Sequence, residues 1–478
     1  MSPVITTIPT NLRRPGAFHE FKFLASGQQL VPLDRRVAIV AEKSAAGTAV
    51  VDTPVQIFDE DDADTKAGKG SLAALMARAA LLQAKLGGGG SPEIWICPVA
   101  ENAGGTAAIY TVTLTGPATS SGEIVLTVGG RIVAVGVTAG DTATAMALAI
   151  KNKIDELKTS LPVTATVALG VVTMTFITKG TNGNDVERST VQVPAGVTVV
   201  HANPTPGAGA TAITNAIAAL YDRRYHLVAL ANHSTADAAA ILADAALAWG
   251  FNQKSYRFYV MGERGSLGTA QTLQASYNDY RVLIGSYEGT PSLPGEIAVS
   301  IGVAWFAKEA PNANLDGERV GLYPPIASLA YTATEIESAL AGGVIPLTPD
   351  GTFSKIERLV TSQITSGGVS FEPLRDAAYP RTASYMAEQI DIGFLTGFKQ
   401  EVLYDDPDGD DVLSRIRDMV VEKHRAAEKA RYIRDVDSFL EQIQVVIAGA
   451  PAGRVIVSDP FRVAGPLHQG AFVHSMYL

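Results

Sequence analysis

The chain is 478 residues long and carries a formal net charge of −10, with 18% charged and 47% hydrophobic residues. At about 100 to 200 residues per domain this length predicts about three domains with room for a large core, and a charged fraction below the usual ~25%, with a mean hydropathy of +0.15, predicts surface hidden in an assembly. The acidic balance excludes a broad nucleic-acid face, which needs clustered Lys and Arg, and no run reaches the ~18 uninterrupted apolar residues of a membrane span, residues 298–307 being too short.

Residues 1–30 read as an extended arm without a core. Pro3, Pro9 and Pro15 forbid a helix, and Phe18, Phe21 and Phe23 supply apolar anchors. No basic region followed by an apolar one marks a secretory leader. Residues 36–41 then read as a buried strand, 71–86 as a helix that ends in Gly87 to Gly90, and 94–97 as the next strand, so a β-α-β unit with a parallel pair is expected. Cys97, the only cysteine, has no intrachain partner for a disulfide and is expected in the core.

From Glu101 to Thr205 the texture changes to Thr, Val and Gly. Strands are predicted at 110–114, 123–128, 131–137, 163–167 and 171–177, with a turn at Gly129-Gly130. One helix interrupts them, capped by Asp141 and carrying Met146, Ile150, Ile154 and Leu157 on one face. Beyond Asn203 to Gly207 the β-α texture resumes, with strands at 226–230, 257–261 and 282–286 and helices near 213–221, 235–251, 269–277 and 297–306. Residues 101–205 are therefore read as an α+β insertion into one discontinuous α/β domain, 31–100 and 206–373. A last domain, 374–478, is predicted to hold helices at 382–396 and 412–436, a strand at 439–448, and two apolar strands within 454–478.

The residues Ala471 to Leu478 are rich in strand formers, and a strand there must pair with a sheet to satisfy its backbone. Both terminal segments therefore look built for docking. One reading packs them on their own subunit; the other adds them as strands to neighbouring subunits.

Motifs for chemistry are poor. Gly262 to Gly268 follows a strand and opens a helix, the place for a phosphate loop, but lacks the G-x-G-x-x-G spacing, and Gly68-Lys69-Gly70-Ser71 fails as a P-loop. Asp405, Asp406, Asp408, Asp410 and Asp411 concentrate carboxylates without the calcium-loop register, and suit the positive start of the helix at Val412. His226 and His233 flank one strand, and no H-E-x-x-H, cysteine cluster or G-x-S-x-G appears. No catalytic, metal or cofactor residue is assigned. The helix from Val412 carries Arg415, Arg417, Lys423, Arg425, Lys429, Arg431 and Arg434 against Asp418, Glu422 and Glu428, a local reversal of sign. It reads either as a solvated face or as a docking face for an acidic protein.

Taken in order, these pieces resemble contractile tail sheath proteins, those of Mu-like phages and prophages above all. The resemblance rests on Pro15-Gly16-Ala17-Phe18 in the arm, Val37 to Glu42, Thr53-Pro54-Val55-Gln56-Ile57, Tyr323-Pro324-Pro325, Gly343 to Leu347, and Ile356 to Ser362, and spans nearly the whole chain. It implies a multidomain α/β and α+β fold, with a tail-sheath-like core of mixed sheets, the inserted domain turned outward and the C-terminal domain facing an inner tail tube. It also implies that the two arms join sheets of adjacent subunits, through Phe18, Phe21 and Phe23 at one end and Phe472, Val473, Met476, Tyr477 and Leu478 at the other. The partners implied are further copies of the chain in a helical sheath, the inner tube protein, and baseplate and tail terminator proteins, without nucleic acid, membrane insertion or cofactor. Arg415, Lys423, Arg425 and Lys429 are the candidate tube contacts. The place implied is the virion tail, after assembly in the host cytoplasm. The competing readings are a nucleotide-binding α/β enzyme using residues 262–268 and another phage tail or baseplate component.

Overall fold

Strand β1 (Arg36–Glu42) is buried from Val37 onward because both of its faces are covered. Val37, Ile39 and Ala41 belong to one apolar cluster, and Ala38 and Val40 to another on the opposite face; a parallel strand covered twice is a continuous apolar run, which is why the sequence announces it. The computed structural model describes residues 30–87, 90–399, 412–448 and 454–468. It has two compact units: residues 33–384 with the described part of 465–478, and residues 30–32 with 385–464.

In the larger unit β1 is followed by β2 (Val55–Ile57), α1 (Glu60–Ala67), α2 (Leu72–Leu86) and β3 (Glu93–Val99). Then come β4 (Ile109–Thr115), β5 (Gly122–Val128), β6 (Arg131–Val137), α3 (Ala143–Glu156), β7 (Val163–Ala168), β8 (Val171–Phe176), β9 (Arg188–Gln192) and β10 (Thr198–Thr205). The α/β pattern returns with α4 (Thr214–Ala219), β11 (Leu227–Leu230), α5 (Ala238–Ala248), β12 (Phe258–Glu263), α6 (Leu267–Tyr277), β13 (Val282–Ser286) and α7 (Pro294–Ala307). It ends with β14 (Arg319–Val320), α8 (Ala333–Ala341), β15 (Ile345–Asp350), β16 (Phe353–Ile356), β17 (Thr365–Ser366) and β18 (Val369–Ser370). Helix α9 (Ala378–Gly397) leads out of this unit.

Nine strands form one sheet in the order β14-β16-β15-β13-β12-β11-β1-β3-β2. From β15 to β3 neighbours run parallel, and β2, β16 and β14 close the edges antiparallel. Helices α2 and α7 cover one face and α4, α5 and α6 the other, a doubly wound arrangement. The chain leaves this sheet after β3 and rejoins it at β11. Between them β4 to β10 build a four-stranded sheet, β10-β4-β8-β7, and a three-stranded one, β6-β5-β9.

Local chemistry sets the helix ends. Ser71 caps α2 by accepting from the Ala74 N–H at 3.3 Å. Helix α7 is buried at every residue, and its last carbonyls are met by two arginines. Arg35 Nη1 donates to the oxygens of Phe306 and Ala307 at 3.0 and 2.8 Å, and Arg381 donates to those of Trp305 and Lys308 at 2.8 and 2.6 Å. Cations at a helix C-terminus satisfy orphan carbonyls and the dipole together. The cap of α3 is Thr142, whose Oγ1 accepts from Ala145 N–H at 3.2 Å, and not the expected Asp141. That carboxylate accepts from Thr138 N–H at 2.7 Å and closes the preceding turn instead.

The smaller unit contains the end of α9, α10 (Val412–Lys429), β19 (Ile433–Arg434), β20 (Gln444–Ile447), β21 (Val455–Ser458) and β22 (Arg462–Val463). Here two expectations are corrected. Helix α10 stops at Lys429 rather than running to 436, because Arg431 turns into the left-handed region at φ 64°. The strand expected over 439–448 shrinks to β20, preceded by two 3₁₀ turns at Val436–Ser438 and Leu440–Gln442. Within 454–468 the chain forms the short β21 and β22, which pair inside their own chain, β21 with β20 and β22 with β19, and the strand expected at 471–478 lies outside the described residues.

Candidate assembly surface of the smaller unit

The residues Val412, Ile416, Met419, Val420, Lys423, His424 and Ala427 form the buried stripe of α10, at the spacing of a 3.6-residue turn. Against it lie Ile443, Ile390, Leu440 and Val457. Arg417 reaches beneath the helix and donates to Leu440 O at 2.7 Å and Ile443 O at 3.2 Å, which fixes the approach to β20. His424 is 1% exposed; its Nε2 sits 2.7 Å from Asp459 Oδ1 and its ring meets the Phe461 ring edge-on at 5.8 Å. His424 thereby packs beside the β21–β22 connection. Sequence reading missed it because the partners are far apart in the chain.

The strands β20 and β21 form a two-stranded antiparallel sheet, with Gln444 opposite Ser458 and Ile447 opposite Val455. Among the described residues no third strand joins either edge. Val446, Ile447 and Ile456 are 50%, 42% and 47% exposed. A groove of about 320 Å³ runs beside β20, lined by Leu413, Ser414, Arg417 and Ile443 to Val446. A bare two-stranded sheet is marginally stable alone, and its unpaired N–H and C=O groups are a template for another strand.

The arm residues Phe18, Phe21, Phe23, Phe472, Val473, Met476, Tyr477 and Leu478, and the carboxylates at 405–411, lie outside the described residues. The root of the first arm is defined, however. Val31 N–H donates to Gln389 Oε1 at 2.9 Å and Gln389 Nε2 donates to Val31 O at 2.7 Å, so one buried amide pairs with this backbone as a strand would. Leu30 packs beside it against the cluster of Met386, Ala427, Ile433 and Val436.

The four tube-contact candidates fall on different faces. Arg415, Arg425 and Lys429 are exposed; the Arg415 guanidinium lies 5.5 Å from the Phe398 ring centre and Arg425 faces Asp437 at 3.6 Å. Lys423 is 2% exposed, and burial pushes its amine pKa down. It lies on the buried stripe, away from the other three.

In the larger unit, the loop at 262–268 offers no phosphate cradle. Gly262 is glycine because an added Cβ would collide with Pro294 O, a matter of packing against α7. Gly265 N–H donates to Glu263 Oε1 at 2.6 Å, Leu267 N–H to Glu288 Oε2 at 3.3 Å, and Thr269 N–H to Ser266 Oγ at 3.3 Å. Two carboxylates therefore face the helix start where a phosphate would sit. A crevice of about 440 Å³ opens there, lined by His233, Thr235, Glu263, Ser266, Gly268 and Thr269 among others. Among the described residues no group of three or more His, Cys, Asp or Glu is placed to hold a metal ion, and no helix is long and apolar enough to cross a membrane. Cys97 is buried, and burial pushes its thiol up to about 12.

Comparison with models of known protein families finds no match. The chain is similar to the Mu-like prophage FluMu tail sheath protein of Haemophilus influenzae, with 26% identity over 373 residues, covering 76% of this chain and 74% of that protein. Its fold is that of tail sheath proteins. The crystal structure of a sheath tail protein from Desulfitobacterium hafniense matches with a TM-score of 0.52 at 14% identity, over 94% of this chain and 97% of that one. A sheath tail protein from Listeria innocua matches with a TM-score of 0.53 at 12% identity, over 91% and 93%.

Proposed function

We propose that this protein is the structural subunit of a contractile tail sheath, built from stacked rings around an inner tail tube, which contracts to drive the tube through a cell envelope. What carries the reading is the open β20–β21 sheet, with its exposed Val446, Ile447 and Ile456, in a chain that has the sheath fold over nearly its whole length. In this account the segment 471–478 of one subunit, with Phe18, Phe21 and Phe23 of another, completes that sheet as added strands. Main-chain bonds supply affinity and alternate side chains supply register. Such contacts are heterologous, so they propagate as a helix instead of closing into a dimer. Contraction is then rigid-body rotation of the units while the added strands hold the lattice together, with the work drawn from the lower free energy of the contracted lattice, summed over many subunits.

Residues 101–205 are turned outward in this arrangement and 374–478 face the tube, where Arg415, Arg425 and Lys429 meet it. Baseplate and terminator proteins bound the polymer at its ends. The subunit is not an enzyme and acts in the virion tail, after assembly in the host cytoplasm. Electron microscopy of the purified protein tests the proposal: tubes or stacked rings are expected, and a protein that stays monomeric at high concentration, with or without the inner tube, contradicts it.

A further inference from the structure

We propose that His468 is a positioning residue for assembly, which as an imidazolium clamps the root of the last ten residues onto the larger unit. Its Nδ1 lies 2.7 Å from Asp316 Oδ2 and its Nε2 lies 2.5 Å from Asp376 Oδ2. A neutral imidazole has one N–H and one lone pair. With a carboxylate oxygen at each nitrogen, the neutral ring would set a lone pair against an anion, whereas the cation donates to both.

The receiving side also has contacts of its own. Asp376 is 7% exposed and its Oδ1 accepts from Ala378 N–H at 2.9 Å in the first turn of α9. Asp316 N–H donates to Asn314 Oδ1 at 2.8 Å, and Asn314 Nδ2 reaches Leu467 O at 3.2 Å. Leu315, Leu359, Ala378 and Pro466 close around His468 with only about 10 Å³ of residual space. The charged groups that face the ring are Asp316, Asp376 and, through Asp376, Arg358, whose Nη2 stands 3.5 Å from the same Oδ2. Two anions meet two cations, and removal of the imidazolium proton leaves the set unbalanced by one negative charge.

The inference rests on the arm-donation reading above: residues 469–478 are the segment to be donated, and the clamp fixes where they start. Leu467 is 84% exposed, so Leu467→Cys carries a nitroxide label without entering the site, and the buried Cys97 does not compete. In the full-length unassembled chain the label is expected to be immobilised. In His468→Gln it is expected to be released, with the docked-to-released ratio lowered at least about tenfold. Asp316→Asn, at a more exposed position, is expected to do the same. His468→Gln is also expected to need about tenfold more protein to form tubes.

A label that stays immobile in His468→Gln overturns the clamp, and normal tube formation by His468→Gln overturns its positioning role. Removal of 469–478 separates this inference from the reading beneath it. Tubes that persist without the segment sink arm donation itself, whereas tubes that vanish while His468→Gln behaves as wild type sink the clamp alone.

Discussion

Gln389→Leu isolates the root of the N-terminal arm. Gln389 is fully buried, and its amide makes two hydrogen bonds to the Val31 backbone, at 2.9 and 2.7 Å. Leucine keeps the volume and the helix propensity of α9 and leaves no buried polar atom of its own. Val31 is 39% exposed, so water replaces the lost partners and each bond is worth its net value, about 0.5 to 1.5 kcal/mol. Two bonds give about 1 to 3 kcal/mol, or about a 5- to 150-fold rise in local opening. Amide hydrogen exchange reads this directly, because Pro32 has no N–H and the Val31 amide dominates a short peptide that ends there. Faster exchange at Val31 by that factor, with α10 unchanged, is the expected result. Unchanged exchange at Val31, or equal acceleration everywhere, refutes the idea that Gln389 anchors the arm's root.

Three further outcomes follow from the same structure. Glu42 is 1% exposed at the end of β1, where it accepts from Asn182 Nδ2 and Thr211 Oγ1, both at 2.7 Å, and burial raises its pKa above the ordinary 4.5. Its folded form thus prefers the neutral carboxyl. The stability this contributes is full below about pH 4.5 and is lost as pH rises through the raised value. Thermal melts of Glu42→Gln should accordingly show a flatter decline with rising pH than wild type, and identical slopes would count against the assignment. Charge reversal at Arg415, Arg425 or Lys429 should weaken binding to purified inner tube, most strongly at low salt, whereas Lys423→Met should leave it unchanged; the opposite ranking in a sedimentation assay would remove this face from the tube. Calorimetry with ATP or GTP should be silent, since Glu263 and Glu288 face the start of α6; a saturable heat with a Kd below about 1 mM would revive a nucleotide site.

The nine-stranded sheet of the larger unit was legible because its central strands are covered on both faces and read as unbroken apolar runs; β13 falls where the residues place it. The hairpin of β15 and β16 was passed over although Asp350-Gly351 is a strong turn signal, with Gly351 at φ 65°. Pro346 and Pro349 interrupt its first strand, which lies inside the sheet between β13 and β16. The end of α10 carried no warning, since Arg431 takes the left-handed position usually given to glycine. A charge count placed Lys423 beside Arg425, but helical phase sends it to the buried stripe. The pairings that define the assembly surface were out of reach for a different reason. Gln389 lies 358 residues from Val31, and His468 lies 152 and 92 residues from its two carboxylates, so no local pattern in the chain encodes them.

In the proposed sheath the β20–β21 sheet is completed from outside its own chain. A helical reconstruction of the assembled polymer, traced through this hairpin, tests it most directly. A third strand, hydrogen-bonded to the open edge and continuous with the terminal segment of an adjacent subunit, is expected. An edge left bare in the polymer, or filled by the terminus of the same subunit, would contradict it.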